Sequence, residues 1–334
     1  MKEIKILYTK DKFDYELLDT GEGEKLERVG KYTFVRPYED AFWQKTLSKK
    51  EWSEVDGKFW SSQKGAKPGW VFKNKIEKKW EISYKGIKFF VLPTPFRHFG
   101  FFAEQASHWD FIEAMIQDQN KDFRNCALGV ISPGDPHVSE NPCSGLSYKK
   151  IKFLNLFGYT GVASLFALRA GAEVTHVDAS KQSLAWAKEN QILSELEDKP
   201  MRIICDDVMK FLDREVKRGN KYDAIIMDPP KFGRGPNGEI WKLEEKLPKL
   251  LENIKKILSD KPLFVILTSY ATDISALSLG YALKETMKPA RNASGIADAG
   301  GDLNGKVEVG EMCVLEKSND RKISLANTAI WVKN

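Results

Sequence analysis

Residues 151 to 178, IKFLNLFGYTGVASLFALRAGAEVTHVD, contain an apolar run, a loop with two glycines, a helix-length apolar pattern and a second apolar run. This order is typical of a strand, loop, helix and strand unit. The loop FGYTG would lead from the carboxyl end of a strand to the amino end of a helix, where free N–H groups and the helix dipole can face a ligand. Asp178 follows Gly158 by 20 residues, the separation at which an acid can accept both ribose hydroxyls of a nucleoside. The unit therefore predicts an adenosine-containing cofactor.

The composition of the loop discriminates between cofactors. A dinucleotide fingerprint has three glycines, the middle one allowing the backbone to approach a pyrophosphate. Here Tyr159 and Thr160 separate Gly158 from Gly161, so a pyrophosphate would be crowded. S-adenosylmethionine, with its amino-acid tail, needs no such cradle. A plain tight turn is the structural alternative for this loop, and a dinucleotide oxidoreductase is the least favoured functional one.

A second motif follows the apolar run YDAIIM, residues 222 to 227, and consists of Asp228, Pro229, Pro230 and Lys231. The two prolines fix φ and withhold two N–H donors, which gives a stiff extended segment. Such a segment would hold Asp228 at the carboxyl edge of the sheet, where ligands bind in open α/β folds. A strand ended by a Pro-Pro turn is the alternative interpretation.

These two motifs, together with FGFFAEQASHWDF at residues 99 to 111, carry a resemblance to class I S-adenosylmethionine-dependent methyltransferases. More narrowly, the chain is similar to bacterial methyltransferases grouped with the large-subunit ribosomal RNA enzymes. The resemblance covers residues 96 to 334 well and the first 95 residues more loosely. It implies an α/β fold with a Rossmann-like, mostly parallel sheet of seven strands. Two last strand candidates, VEVGEMCVLEK and RKISLANTAIWVK, would close this sheet as an antiparallel pair at its edge.

The chain is predicted to have two domains. Residues 96–334 would form the methyltransferase domain, and residues 1–95 a small β-rich domain in which WEISYKGIKFFVL, residues 80 to 92, has the pattern of a hairpin. All of the net charge of +5 lies in residues 1–95, which carry 20 Lys and Arg against 15 Asp and Glu. Nine lysines occur from Lys58 to Lys88, interleaved with six Phe, Trp and Tyr residues. Basic and aromatic side chains together suit single-stranded nucleic acid, so RNA is the predicted partner; a solvated β surface with a small aromatic core is the alternative.

Cofactor-binding residues follow from the loop and from the resemblance. In the relatives an acid after the third strand accepts a hydrogen bond from the adenine amino group, and Asp207 fits that position better than Asp206, one of the two being a helix cap. The segment near residue 104 packs beside the cofactor in these relatives, so Glu104 or Gln105 would contact its polar tail. The predicted set is Gln105, Asn155, Phe157, Gly158, Tyr159, Thr160, Gly161, Asp178, Ala179, Ser180 and Asp207.

Catalysis is assigned to the Asp228–Lys231 motif. Asp228 and the Pro229 carbonyl would accept hydrogen bonds from an N–H group of the acceptor and aim its lone pair at the methyl group. Pro230 would stiffen the segment and Lys231 would hold a phosphate or base oxygen. The substrate-binding residues Phe232 and Arg234 follow, and the loop FGRGPNGE in which they lie is expected to be mobile.

One departure from the relatives bears on the acceptor. Those that methylate carbon 5 of cytosine need a cysteine after the fifth strand, because that carbon is not nucleophilic until a thiolate adds to the ring. Here the corresponding positions are Thr268, Ser269 and Tyr270. The sequence therefore favours a base nitrogen as the acceptor.

The remaining composition sets limits on location and metal chemistry. No apolar run approaches about 18 residues, and the charged N-terminus is unlike a signal peptide, so a cytoplasmic protein without membrane contact is expected. The four cysteines lack metal-ligand spacing, which argues against a zinc site. Residues 126–150 form a Pro- and Gly-rich loop that is either a lid or a connection. The main prediction is an enzyme that methylates RNA; a methyltransferase for a protein or small molecule, and a non-catalytic cofactor- and RNA-binding protein, stay open as alternatives.

Overall fold

The computed structural model describes residues 3–60, 68–127, 150–270, 274–288 and 303–334. The loop predicted at residues 126–150 falls almost entirely outside these ranges. In the first described segments the elements are β1 (Ile4–Leu7), β2 (Tyr15–Gly21), β3 (Glu24–Val29), β4 (Tyr32–Pro37), α1 (Lys49–Ser53), β5 (Gly57–Trp60), β6 (Gly69–Phe72), β7 (Trp80–Tyr84), β8 (Ile87–Val91) and α2 (Ala106–Ala127). A short 3-10 turn, Ala103–Gln105, precedes α2.

The later segments carry the alternation of strands and helices. They contain β9 (Lys152–Leu156), α3 (Val162–Arg169), β10 (Glu173–Asp178), α4 (Lys181–Leu193), β11 (Met201–Cys205), α5 (Val208–Arg218), β12 (Ala224–Met227), β13 (Phe232–Arg234), β14 (Ile240–Lys242), α6 (Leu243–Ile257), β15 (Phe264–Ser269), α7 (Ala276–Met287), β16 (Gly305–Leu315) and β17 (Lys322–Lys333).

The large sheet has the strand order β1-β16-β17-β15-β12-β9-β10-β11. Strands β9 to β12 and β15 are mutually parallel, whereas β17 runs antiparallel to both β15 and β16. The central strands β12 and β15 are buried at every residue, as expected of parallel strands covered on both faces. The predicted Rossmann-like, mostly parallel sheet is therefore confirmed.

The predicted strand count was one too low. β1 pairs in parallel with β16, with Ile4 opposite Val309 and Leu7 opposite Met312, so the sheet has eight strands and the β16–β17 pair is not its edge. β1 has only four residues and is about 300 residues from β16 in sequence. The sequence of β1 does not indicate this partner, because its apolar residues would also suit the N-terminal sheet. The division of the chain at residue 95 stays a prediction.

Strands β2 to β6 form a separate five-stranded sheet, and β7 and β8 form the hairpin that was predicted. Its turn residues Lys85 and Gly86 have φ of 48° and 82°, the left-handed conformations that two-residue hairpin turns require. Several aromatic side chains of this region are core residues: Phe59, Trp80 and Tyr84 are buried, while Trp60 and Phe72 stay exposed.

Two hydrophobic cores lie on the two faces of the large sheet. One contains apolar side chains of α2, α3 and the N-terminal strands, including Trp109, Phe166 and Phe34. The other contains side chains of α5, α6 and α7, including Phe211 and Leu250. This layered arrangement leaves the carboxyl ends of β9, β10, β11, β12 and β15 free to form a site.

The segment after Lys231 is a correction to the sequence prediction. It was expected to be a mobile loop, but β13 and β14 pair antiparallel across it. Asn237 and Gly238 form the tip, with Gly238 at φ 86°, and the Gly235 N–H donates to the Glu239 carbonyl at 2.8 Å. The Asn-Gly pair is the turn signal that favours a hairpin here. No helix among the residues described is both long and apolar enough to cross a membrane.

Candidate cofactor and active site

The loop from β9 to α3 is held in an unusual backbone conformation. Phe157 and Tyr159 have φ of 56° and 51°, and Gly161, which precedes α3, has φ of 84°. Left-handed conformations in non-glycine residues cost of order 1–3 kcal/mol unless the surroundings compensate. Compensation comes from β10, because the Asp178 carboxylate accepts the Tyr159 N–H at 2.9 Å and the Val177 carbonyl accepts the Gly158 N–H at 3.0 Å.

A buried chain of polar side chains supports the same loop from below. Asn155 donates to the Ser164 hydroxyl at 3.0 Å, Ser164 lies 2.9 Å from His176 Nδ1, and His176 Nε2 lies 3.2 Å from the Tyr159 carbonyl. Burial lowers the pKa of His176 to about 4, so the ring is neutral and donates from one nitrogen only. A Cβ on Gly158 would lie 2.3 Å from His176 Cε1. Gly158 is therefore required by packing against this ring, a reason unrelated to phosphate.

Asp178 ends β10 beside a cavity of about 370 Å³. Its Oδ1 accepts the Ser180 N–H at 2.8 Å, and burial raises the pKa of the carboxyl above its usual value. Ala179, Ser180 and Asp207 line the same cavity. Asp178 and Asp207, which lie at or just after the ends of neighbouring strands, thus line one cavity.

The division of roles between Asp206 and Asp207 differs from the expectation. Asp207 is itself the cap of α5, accepting the Lys210 N–H at 3.0 Å, and it also lines the cavity. Asp206 instead forms an ion pair with Arg214. One residue can both cap α5 and line the cavity because the cap position lies two residues after the carboxyl end of β11, and the adenine contact of Asp207 stays a prediction.

Asp228 lies where this cavity meets a narrower one of about 60 Å³ between β9, β12 and the start of α2. Gln105 Nε2 donates to Asp228 Oδ2 at 3.1 Å and lies 3.0 Å from the Tyr270 hydroxyl. Asp228 Oδ1 is buried and has no hydrogen-bond partner among the described residues. Burial, reinforced by the nearby Glu104 charge, raises the pKa of Asp228 to about 8. Asp228 therefore lines both cavities, has one carboxyl oxygen without a partner, and has a pKa above neutral pH.

The orientation of Gln105 is set by a buried histidine. His108 Nδ1 lies 2.9 Å from Gln105 Oε1, and His108 Nε2 lies 3.1 Å from the Thr328 hydroxyl on β17. Burial lowers the pKa of His108 to about 3, so the ring is neutral. An Nδ1–H tautomer donates to the Gln105 carbonyl oxygen, which turns the Gln105 amino group towards Asp228.

The predicted site residues separate into two groups. The residues that line the two cavities are Gln105, Asn155, Phe157, Gly158, Tyr159, Thr160, Gly161, Asp178, Ala179, Ser180, Asp207, Asp228, Pro230 and Arg234. Three lie outside both linings: Pro229 is buried, and Lys231 and Phe232 are exposed. Their assigned roles stay predictions.

Sequence reasoning missed several residues that line the larger cavity, among them His98, Phe102, Trp241 and Tyr270. Tyr270 directly follows β15, so its place at the carboxyl end of a strand was the available signal. Tyr159 and His98 are in contact, with the hydroxyl 3.3 Å from Nδ1, and burial lowers the pKa of His98 to about 4. Trp241 lies on β14, and the β13–β14 hairpin brings it to the cavity. The sequence predicts only a loop at this segment.

The hydrogen-bond acceptors and the apolar side chains of the larger cavity fit an adenosine-containing cofactor with an amino-acid tail. Carboxylates at the ends of β10 and β11 can accept from ribose hydroxyls and an adenine amino group, and Val208, Phe157 and Trp241 supply apolar walls. The Thr160 hydroxyl in this loop donates to the Gly100 carbonyl at 2.6 Å, so it has no hydrogen left to donate to a pyrophosphate.

The described cysteines lie away from Asp228. Cys205 is exposed, with its Sγ 3.6 Å from the Ala179 carbonyl, and Cys313 is buried, which raises the pKa of its thiol to about 11. Neither lines the two cavities. Within the described ranges there is also no cluster of three or more His, Cys, Asp or Glu side chains that could hold a metal.

The chain is similar to a described protein family and to solved methyltransferase structures. A family described as "Conserved hypothetical protein 95" matches residues 142–268. A solved structure, described as the SAM-dependent methyltransferase from Agrobacterium tumefaciens, is 37% identical, covers 99% of this chain and 94% of its own, and superposes with a TM-score of 0.82. A putative SAM-dependent methyltransferase from Streptococcus mutans, 15% identical with a TM-score of 0.65 over 96% of this chain and 75% of its own, shares the fold.

A curated relative is the ribosomal RNA large subunit methyltransferase K of Neisseria meningitidis. It is 32% identical over 142 residues, which are 41% of this chain. The chain spans only 40% of the length of that relative.

Proposed function

Because this chain belongs to the S-adenosylmethionine-dependent methyltransferases, we propose that it transfers a methyl group to a base nitrogen of ribosomal RNA. The observation that carries the proposal is Asp228, which lines both cavities beside the loop of residues 157–161 and whose buried Oδ1 has no hydrogen-bond partner among the described residues. The cofactor is S-adenosylmethionine, which supplies an activated methyl group on a good leaving group. The protein is left with binding, alignment and exclusion of water.

The proposed cofactor contacts follow the geometry of the larger cavity. Asp178 would accept from the ribose hydroxyls while continuing to hold the Tyr159 and Ser180 N–H groups. Asp207 would accept from the adenine amino group. The loop of residues 157–161 and Gln105 would lie beside the amino-acid tail.

Asp228 would act on the acceptor. Its free Oδ1 would accept an N–H of the acceptor nitrogen, and the Pro229 carbonyl would accept a second, so that the nitrogen lone pair points at the methyl group. When the N–CH3 bond forms, the acceptor nitrogen gains positive charge and releases a proton. An ionised carboxylate whose pKa is about 8 is a suitable acceptor for that proton.

Support for ribosomal RNA as the substrate comes from the relative in Neisseria meningitidis and from the excess of Lys and Arg in residues 1–95. Location in the cytoplasm is part of the same proposal. The test is mass spectrometry of ribosomal RNA from strains with and without this protein, with tritium transfer from labelled S-adenosylmethionine to the RNA that lacks the mark. Loss of one methylated nucleotide and its restoration by the purified protein are expected. Transfer to protein or to small molecules alone would refute the RNA assignment.

A further inference from the structure

A separate cavity of about 670 Å³ opens between the five-stranded N-terminal sheet and β17. Its walls include Arg36, Tyr38, Phe96, Glu104 and Asn327, none of which was predicted to bind substrate. The volume lies within the range of small-molecule and cofactor sites. It is therefore large enough to hold a nucleotide.

This cavity adjoins the cofactor cavity through shared side chains. His98, Phe102 and Tyr270 line both, and the Phe102 and Tyr270 rings lie 4.9 Å apart between them. Tyr270 lies 3.0 Å from the Gln105 amide that also contacts Asp228. Asp228 thus lies behind Phe102, Tyr270 and Gln105, and a group entering from this side would reach it by displacing these side chains.

One corner of the cavity contains two cations and two carboxyl groups. Arg36 and Lys25 share a single buried carboxylate, that of Glu27, with Arg36 Nε at 2.5 Å and Lys25 Nζ at 3.2 Å. The Tyr15 hydroxyl donates to the same carboxylate at 2.6 Å. The carboxyl group of Glu104 lines the same wall and interacts with both cations, so the corner offers a phosphate N–H donors rather than an excess of positive charge.

The rim of the cavity carries acids as well as cations. Glu39 is paired with Arg97 at 2.8 Å. Asp40 and Glu311 also line the wall, and Lys322 on β17 is exposed beside them. The lining of this cavity therefore contains four cations and four acids.

An exposed aromatic ring lies at the opening. Phe96 is 75% exposed, and its ring stacks on that of His98 with centroids 6.2 Å apart and planes 21° from parallel. An exposed ring with one free face is what a single-stranded base stacks on. Phe232, the residue predicted to stack on the base, does not line any of these cavities.

We propose that the acceptor nucleotide enters through this cavity, its base passing between Phe96 and Tyr270 towards Asp228 and its phosphate facing Lys25 and Arg36. The inference rests on the proposed function, since it takes RNA as the substrate. The sequence analysis assigns substrate binding to Phe232 and Arg234 on the β13–β14 hairpin. In this proposal the acceptor instead enters at the junction between the N-terminal sheet and β17. The N-terminal sheet thereby forms part of the substrate site itself.

The test uses the full-length protein and a fluorescein-labelled single-stranded RNA of about 15 nucleotides and mixed sequence. Phe96→Ala and Lys322→Glu alter exposed side chains, so both variants should fold. Their matched controls are Tyr281→Ala, an exposed ring on α7, and Lys261→Glu, an exposed cation before β15. RNA affinity is measured by fluorescence anisotropy and S-adenosylmethionine affinity by calorimetry.

Phe96→Ala is expected to weaken RNA binding at least about fivefold, with Phe96→Trp restoring it. Lys322→Glu is expected to weaken RNA binding too, and all variants should bind S-adenosylmethionine like the parent. If the parent binds RNA and both cavity variants bind it equally well, the cavity is not the acceptor path and the proposed function is untouched. If the parent itself binds no RNA, this assignment fails, whereas the proposed function is decided by the loss and restoration of the methylated nucleotide in ribosomal RNA.

Discussion

The pH dependence of methyl transfer is the most informative property to measure. Asp228 must be ionised to accept an acceptor N–H and its proton, and burial raises the pKa of this carboxyl to about 8. About one tenth of the molecules would then be ionised at pH 7 and about one hundredth at pH 6. Activity is lost as the pH falls, because the raised pKa belongs to an acid whose ionised form is the active one.

The expected profile is a tenfold rise in kcat/KM per pH unit up to about pH 8, followed by a plateau. Asp228→Asn keeps an acceptor oxygen but cannot titrate. It should lower the plateau by about two orders of magnitude and abolish the slope. The assay is single-turnover transfer of labelled methyl to ribosomal RNA at saturating S-adenosylmethionine.

Two neighbouring substitutions shift the midpoint in opposite directions. Glu104→Gln removes a nearby negative charge and should move the midpoint of the profile to lower pH. Gln105→Leu removes a donor to the ionised carboxylate and should move it to higher pH. A slope that persists in Asp228→Asn, or midpoints that do not move in these variants, would refute the assignment of Asp228 as the titrating group.

Further predictions concern the cofactor, the basic segment and the thiols. Asp178→Ala should weaken S-adenosylmethionine binding more than tenfold in calorimetry, because it removes the acceptor of two backbone N–H groups as well as the proposed ribose contact; equal affinity would disprove this placement of the ribose. A fourfold charge reversal replaces Lys73, Lys75, Lys78 and Lys79 with Glu. It should weaken RNA binding and flatten its salt dependence with cofactor affinity unchanged, and identical binding at several salt concentrations would make this face ordinary surface. Cys205→Ala and Cys313→Ala should retain activity, and RNA containing a 5-fluoropyrimidine should form no covalent adduct; an adduct on a cysteine would restore carbon-5 chemistry.

The residues predicted to bind the cofactor line two adjoining cavities, and their sequence signals are local. Gly158, Asp178 and the Ser180 cap lie within one strand, helix and strand unit, and Asp228 follows its strand directly. The position of each residue relative to a strand end fixes its place at the sheet edge. The reason for Gly158 was not visible, because His176 approaches it from the neighbouring strand.

The acceptor side could not be predicted in the same way. Tyr270, His98 and Arg36 come from three separated segments, and only the tertiary structure brings them to one opening. Their local patterns are those of a strand end, a loop and a half-buried strand. Phe232 was chosen for its nearness to Asp228 in sequence, but the Asn237-Gly238 turn folds this segment into a hairpin and leaves its ring exposed.

The pairing of β1 with β16 has a consequence for folding during synthesis. Ile4 lies opposite Val309, and at about 5–20 residues per second a ribosome needs roughly 15 s to a minute to make the chain between them. Throughout that interval β1 has no partner strand. β15 is apolar and fully buried in the finished sheet, and it is an unpaired edge strand until β17 has been made. Lys5 lies at the centre of β1, where a charge discourages pairing with other nascent chains. In the completed protein the same side chain pairs with Glu308 at 2.7 Å, so one lysine protects the waiting strand and then joins it to the last part of the sheet to be made.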